Sequence, residues 1–249
     1  MRRSRDLLWD GCVNVRDLGG HPTEDGHETR FGAVVRADSV RGLSDEGWEA
    51  LVAYGVGRIV DLRWQAELEE DPPRELSIDV VHVPLLGERN EATASEIDAL
   101  LSGIQDPAAR RSTMYVEFLR RYPGNFASAI AAVGQAPEGA VVIHCAGGVD
   151  RTGLVSALLL SLAGVAPKHI AADYAASEAN WAEGTAVWIA EAETDHEREF
   201  RRFLSRMPPE AMLQTLETLE REHGGAAAYL RDAGAMPEDL GAVRARLRG

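Results

Sequence analysis

Along the first 165 residues the apolar positions switch between two periods. Short apolar runs near 33–36, 58–61, 80–84 and 140–144 have the length and the valine and isoleucine content of buried strands. Between them, apolar residues recur at helical spacing near 44–54, 95–104, 108–122, 124–134 and 152–163. Ser44 stands where a helix N-cap belongs, and Gly164 where a helix stops. Strands separated by helices predict an α/β fold: a central, mostly parallel sheet flanked by helices.

Beyond residue 165 only the helical period continues. Ile170, Tyr174 and Trp181 share a helical spacing over 168–181, and Pro209 suits the first turn of a helix lined by Met212, Leu216 and Leu219 and ended by Gly224-Gly225. Leu240, Val243 and Leu247 mark a short final helix. Over 182–207, Val187-Trp188-Ile189 precede a charged run from Glu191 to Arg202, and then Phe203-Leu204. No repeat or low-complexity linker divides the chain, so 1–249 is expected to form one domain with a helical C-terminal region.

Composition narrows the partners. The net charge of −14 argues against nucleic acid and against strong association with anionic membranes, and the acidic residues are spread over helix faces as a solvated surface. Cys12 and Cys145 make no disulfide framework, and no apolar stretch has the length of a membrane span. The basic N-terminus lacks the apolar core of a signal peptide; a cytoplasmic location is expected, with export by a non-classical route left open. The seven histidines show no metal-ligand spacing, so neither metal nor cofactor is expected. The pattern carries no signal for oligomeric state.

The chemistry concentrates in one loop. The strand over 140–144 runs into His144-Cys145-Ala146-Gly147-Gly148-Val149-Asp150-Arg151-Thr152-Gly153, and Thr152 opens the next apolar helix. Such a loop offers an anion both backbone N–H groups and the positive end of a helix dipole, and Gly147 and Gly148 allow it to curl. Ala146, Gly147, Gly148, Val149, Asp150, Arg151 and Thr152 are therefore the expected phosphate-binding residues, with the planar fork of Arg151 taking two oxygens at once. Cys145 lies in the same field, which favours its thiolate, and is the candidate nucleophile. In-line attack would give a cysteinyl-phosphate that water then hydrolyses, with no metal required. Thr152 is placed to donate its hydroxyl to the sulfur, and His144 to hold the strand end through nearby backbone.

This loop resembles the Cys-x5-Arg-Thr signature of the cysteine-dependent protein tyrosine phosphatases, and its Asp-Arg-Thr-Gly ending is similar to the bacterial tyrosine and dual-specificity phosphatases. Asn14-Val15-Arg16-Asp17-Leu18-Gly19-Gly20, Val35-Arg36-Ala37-Asp38, Val60-Asp61-Leu62-Arg63, Asp173-Tyr174-Ala175-Ala176-Ser177-Glu178 and Tyr229-Leu230-Arg231-Asp232-Ala233-Gly234 extend the resemblance over nearly the whole chain. It implies a protein tyrosine phosphatase fold and a cysteine-dependent phosphoric monoester hydrolase. The implied substrate is a phosphorylated protein or small phosphomonoester: phosphotyrosine first, phosphoserine and phosphothreonine beside it. Phosphoinositide hydrolysis is an alternative, but members that accept these lipids often carry Lys where this chain has Val149, which removes a cation. The family also has a helical pair inserted near 182–207, which implies a lid with Trp188 or Phe200 on the pocket wall; an ordinary amphipathic helix is the alternative.

Hydrolysis needs a general acid for the leaving oxygen, and no Trp-Pro-Asp triplet occurs. Asp150, in the loop and resembling the family's acidic residue there, is the first candidate. Asp61, at the carboxyl end of a predicted strand, is the second, and Asp38 stays open. Asp61 can equally pair with Arg63, while Arg16, Asp17 and Asp38 fit structural roles. Arg16 and Arg63 are also candidates for attracting the anion. A disulfide between Cys12 and Cys145 competes with a simple buried role for Cys12. Two other functions use a similar loop: a rhodanese-like sulfurtransferase, against which Arg151-Thr152 stands, and a phosphate-binding module without turnover.

Overall fold

The computed structural model describes residues 3–71 and 77–248. Five strands, β1 (Arg16–Asp17), β2 (Val34–Ala37), β3 (Val56–Asp61), β4 (Asp79–His82) and β5 (Ala140–His144), form one sheet in the order β1-β2-β5-β3-β4. β2, β5, β3 and β4 are parallel, and β1 pairs antiparallel to β2. The mostly parallel α/β architecture is the one expected. β1 gives no period to read because it has two residues.

Strand alternation divides the core. Val34, Val60, Val141 and Ile143 enter the larger cluster, whereas Val35, Ala37, Ile59 and Val142 join a smaller one with Trp9, Trp48 and Leu51. Helix α1 (Asp45–Ala53) covers the smaller face; Ser44 Oγ accepts from Gly47 N at 3.1 Å, the N-cap the sequence predicts. The larger face lies under α4 (Pro107–Arg121), α5 (Pro123–Gly134), α6 (Asp150–Leu162), α7 (Pro167–Asn180), α10 (Pro209–His223), α11 (Ala226–Asp232) and α12 (Pro237–Arg248). α6 is buried on nearly every side, and its run Leu154–Leu160 is apolar all round except for Ser156.

Three helices differ from expectation, and α11 is one that no predicted span covered. α2 (Gln65–Glu70) buries none of its residues and so has no apolar period to betray it. α3 (Glu91–Leu101) starts before residue 95 because Asn90 Oδ1 accepts from Thr93 N at 3.1 Å and caps it there. The segment 182–207 is a pair, α8 (Ala182–Ala190) and α9 (Asp195–Ser205), and neither helix contains a buried residue. No helix among the described residues is long and apolar enough to cross a membrane.

The register places the site. His144 lies opposite Ala37 on one side and Asp61 on the other, so β2, β3 and β5 end level where the chain enters the Cys145 loop. That crevice at the carboxyl ends of parallel strands is where open α/β sheets take ligands.

Candidate active site

The loop leaves β5 at Cys145, whose side chain is 3% exposed. Of its two glycines only Gly148 is required by geometry: φ is +64°, and a Cβ there would fall 2.6 Å from the Ala37 carbonyl oxygen. At Gly147 an added Cβ would touch only Trp181 and Val149 at 3.9 Å.

The surrounding scaffold takes up the loop's carbonyls. Ala146 O accepts from Ser39 N at 2.9 Å. Gly147 O accepts from Asn14 Nδ2 at 3.0 Å and Trp181 Nε1 at 2.8 Å. Gly148 O accepts from Asn14 Nδ2 at 3.2 Å and an Arg36 Nη at 2.7 Å. The N–H groups of Ala146, Gly147, Gly148 and Val149 donate to no described residue. A loop held by its carbonyls, with unused N–H groups at a helix N-terminus, is built to receive an anion.

Arg151 is buried beside this loop. Its two Nη atoms donate to the Glu67 carboxylate at 2.5 and 3.0 Å, and its guanidinium carbon lies 4.6 Å from the centre of the Trp64 ring. Glu67 also accepts from Trp64 N at 2.8 Å, which ties the pair to the first turn of α2. Burial works against the Arg151 charge, but Glu67 and Cys145 outweigh it and raise its pKa. Burial works against the Glu67 charge too, and Arg151 outweighs it, so this carboxyl is lowered.

The candidate acids sit in different surroundings. Asp150 is 43% exposed, and Arg111 at 2.8 Å and Tyr115 Oη at 2.6 Å both donate to its Oδ1. Asp61 is 2% exposed; Arg63 binds both its oxygens at 2.8–3.1 Å, and His144 Nε2 lies 3.4 Å from Oδ2. Burial alone would raise the Asp61 carboxyl, but the hydrogen bonds and charges of His144 and Arg63 hold it far below the ordinary carboxylate range. A general acid must carry a proton, so this geometry speaks against Asp61 in that role. Arg63 spends its other Nη on Asp71 at 2.9 Å. Asp38 accepts from Val13 N and Asn14 N, both at 3.1 Å, and Asp17 from Gly19 N and Gly32 N, both at 2.7 Å. Both are structural ties, and Arg16 is engaged with Asp173, not with the loop's anion face.

Three smaller expectations resolve differently. His144 Nδ1 meets Cys145 O at 3.3 Å, the backbone contact expected of it. The Thr152 hydroxyl has no hydrogen-bond partner among the described residues, so its predicted bond to the sulfur is not formed. Both cysteines are free, and Cys12 Sγ donates to Ser39 O at 3.5 Å. Burial and the neighbouring Asp38 push the Cys12 thiol far up. Val149 is buried in the larger core, an apolar position with no cation to offer.

Trp64 and Trp181 flank the loop, through Arg151 and Gly147 O; Trp64 carried no sequence signal, and Trp181 only that of a helix face. Phe200 is 49% exposed and lines cavities of about 450 and 320 Å³, both walled by Leu101, Arg110 and Phe203, none of them loop residues. Trp188 is stacked under Arg201 of α9, 5.1 Å away. Neither is therefore a wall of the loop. Instead α9 reaches the site through Arg111 on α4, which donates to Leu204 O at 2.7 Å, Arg206 O at 2.6 Å and Asp150. Glu67, Arg111 and Tyr115 escaped notice, and Asn14 entered only as part of the resembling N-terminal segment, because their meaning depends on partners 35 or more residues away.

Comparison with known sequences finds matches over most of the chain. The sequence model described as the tyrosine phosphatase family matches residues 7–249. A tyrosine-protein phosphatase of Nostoc commune is 27% identical over 226 residues, covering 86% of this chain and 74% of the relative. A triple specificity protein phosphatase of Mycobacterium tuberculosis is 26% identical over 280 residues, covering 96% of this chain and 98% of the relative.

Proposed function

This chain belongs to the tyrosine phosphatase family, and from that premise we propose that it hydrolyses phosphotyrosine through a cysteinyl-phosphate on Cys145. The observation that carries the reading is the loop itself: the carbonyls of residues 146–148 are held by the scaffold, and the N–H groups of 146–149 remain for a phosphate. Glu67 occupies the two Nη atoms of Arg151 and leaves Nε and the outer Nη hydrogens for phosphate oxygens. Arg151 enters the reaction already oriented.

In the first step a lone pair of Cys145 Sγ attacks phosphorus and the P–O bond to the tyrosyl oxygen breaks. Asp150 gives that oxygen a proton. In the second step water attacks phosphorus, Asp150 takes the water's proton, the P–S bond breaks and inorganic phosphate leaves with the thiolate restored. Asp150 suits this better than Asp61 because both its donors bind Oδ1, which leaves Oδ2 for the proton. Both oxygens of Asp61 are bound by Arg63. Trp64 and Trp181 flank the loop and provide aromatic surface for a substrate ring. Val149 argues against phosphoinositides, and phosphoserine and phosphothreonine, which lack a ring, would bind more weakly. We read the described chain as one catalytic unit whose α8–α9 pair, poor in buried apolar side chains, opens and closes beside the site through Arg111.

The test is phosphate release from a phosphotyrosine peptide, a phosphoserine peptide and a phosphoinositide in the presence of a chelator. Wild type is compared with Cys145→Ser, Asp150→Asn and Asp61→Asn. Turnover of the phosphotyrosine peptide, abolished by Cys145→Ser, is expected. Wild-type activity in Cys145→Ser would overturn the mechanism, and a persulfide on Cys145 after thiosulfate treatment, without phosphate release, would favour sulfur transfer.

A further inference from the structure

Beneath the loop, on the side away from the substrate, lies a buried charge cluster that the proposed chemistry does not use. Arg36 on β2 is 1% exposed and donates to Gly148 O at 2.7 Å and Asp173 Oδ2 at 2.6 Å; its Nε has no partner among the described residues. Arg16 on β1 donates to Asp173 Oδ1 at 3.0 Å, Ser177 Oγ at 3.1 Å and Asn14 Oδ1 at 2.7 Å. Two buried guanidiniums thus share one buried carboxylate.

Most of the other charges around the loop are paired among themselves. Arg63 is matched by Asp61 and Asp71, Arg151 by Glu67, and Arg111 by Asp150. Asp38 is turned towards the Val13 and Asn14 amides. His144 faces Asp61, and Arg5 approaches Asp173 from the outside at 3.9 Å. A buried cation aligned on a loop carbonyl acts on whatever anion the loop holds, the Cys145 thiolate and a bound phosphate alike, because the interior screens it little.

On the basis of the proposed function, we propose that Arg36 is an electrostatic positioning residue that strengthens anion binding in the loop by acting through the Gly148 peptide. Its bond to Gly148 O lies on the same peptide group as the Val149 N–H, one of the unused donors. A cation on the carbonyl of a peptide polarises the group and strengthens its N–H as a donor. The guanidinium, the peptide and the phosphate then form one chain of aligned dipoles. Burial and Arg16 pull the Arg36 pKa down to about 10, while Asp173 and Cys145 hold it up, so it stays charged at neutral pH.

The experiment measures competitive inhibition by tungstate, a phosphate-like dianion, in wild type, Arg36→Gln, Arg36→Lys and Asp173→Asn, with thermal melting of each. Removing the cation weakens tungstate by about tenfold, the loss expected from one charge-assisted bond acting at second hand. Arg36→Lys, which keeps the charge, stays within about threefold of wild type. Asp173→Asn, which removes the opposing negative charge, binds tungstate as tightly as wild type or more tightly, although its melting temperature falls. A purely structural cluster would give the same sign in all variants: Asp173→Asn weakened as much as Arg36→Gln overturns the proposal, as does Arg36→Lys weakened as much as Arg36→Gln. If Arg36→Gln does not fold, the other two variants still decide: tungstate weakened about tenfold in Arg36→Lys or in Asp173→Asn overturns the proposal. Tungstate titrated calorimetrically into Cys145→Ser keeps the two readings apart: no binding there or in wild type counts against the phosphate loop itself, not against Arg36.

Discussion

Replacing Asp61 by Asn separates a structural carboxylate from a catalytic one. The substitution keeps the size of the side chain and removes its charge from a site 2% exposed. Arg63 loses the ionic partner that receives its Nε at 3.0 and 3.1 Å and one Nη at 2.8 Å, and keeps only the half-exposed Asp71 at 2.9 Å. Breaking a buried pair from one side costs about 3–5 kcal/mol, and the surviving Asp71 contact reduces this to about 2–4. For a chain of this length that is a fall of roughly 5–15 °C in melting temperature. The pH dependence has a definite sign. Asp61 titrates lower in the folded chain than in the unfolded one, so its stabilisation is complete above about pH 4, the unfolded value, and fades as pH falls below it. Circular dichroism melts of wild type and variant should therefore differ fully at pH 7 and converge in acid. Measured well below the melting temperature, kcat should fall by less than about tenfold, against the 10²–10⁴ that loss of a general acid costs. An unchanged melting temperature with a hundredfold loss of kcat would refute the structural reading and return Asp61 to the chemistry.

Glu67→Gln turns the ionic partner of Arg151 into a neutral one and should lower kcat/KM for a phosphotyrosine peptide by about tenfold, roughly 1.4 kcal/mol; an increase would mean that Glu67 competes with phosphate instead of orienting Arg151. Amide hydrogen exchange over α8 and α9 should run at least about a hundredfold faster than over α6, because neither α8 nor α9 contains a buried residue; equal protection would rule out the opening motion. Tyr229→Phe removes the hydroxyl that donates to Leu119 O at 2.8 Å in the core. It should cost about 1–2 kcal/mol of stability with kcat/KM unchanged, which makes it the control for folding defects without catalytic ones.

The local order of the chain carried the sheet and the loop. Strand and helix periods over residues 33–163 predicted four of the five strands and the helices around them, because each element buries a face and must repeat its apolar residues to do so. The loop was legible for a similar reason: a nucleophile, glycines and an arginine between a strand and a helix are contiguous, and their chemistry needs only that contiguity. β1 and α2 were not legible, being too short or too exposed to carry a period. Tertiary structure alone decided what surrounds the loop. Asn14, Arg36, Glu67 and Trp181 reach it from four separate segments, and only the packed fold turns the carbonyls of residues 147 and 148 towards three of them and Arg151 towards the fourth. It also separated Asp61 from Asp150. The two are the same residue type at neighbouring ends of the crevice, and what distinguishes them is whether a buried arginine takes both oxygens or one oxygen is left for a proton.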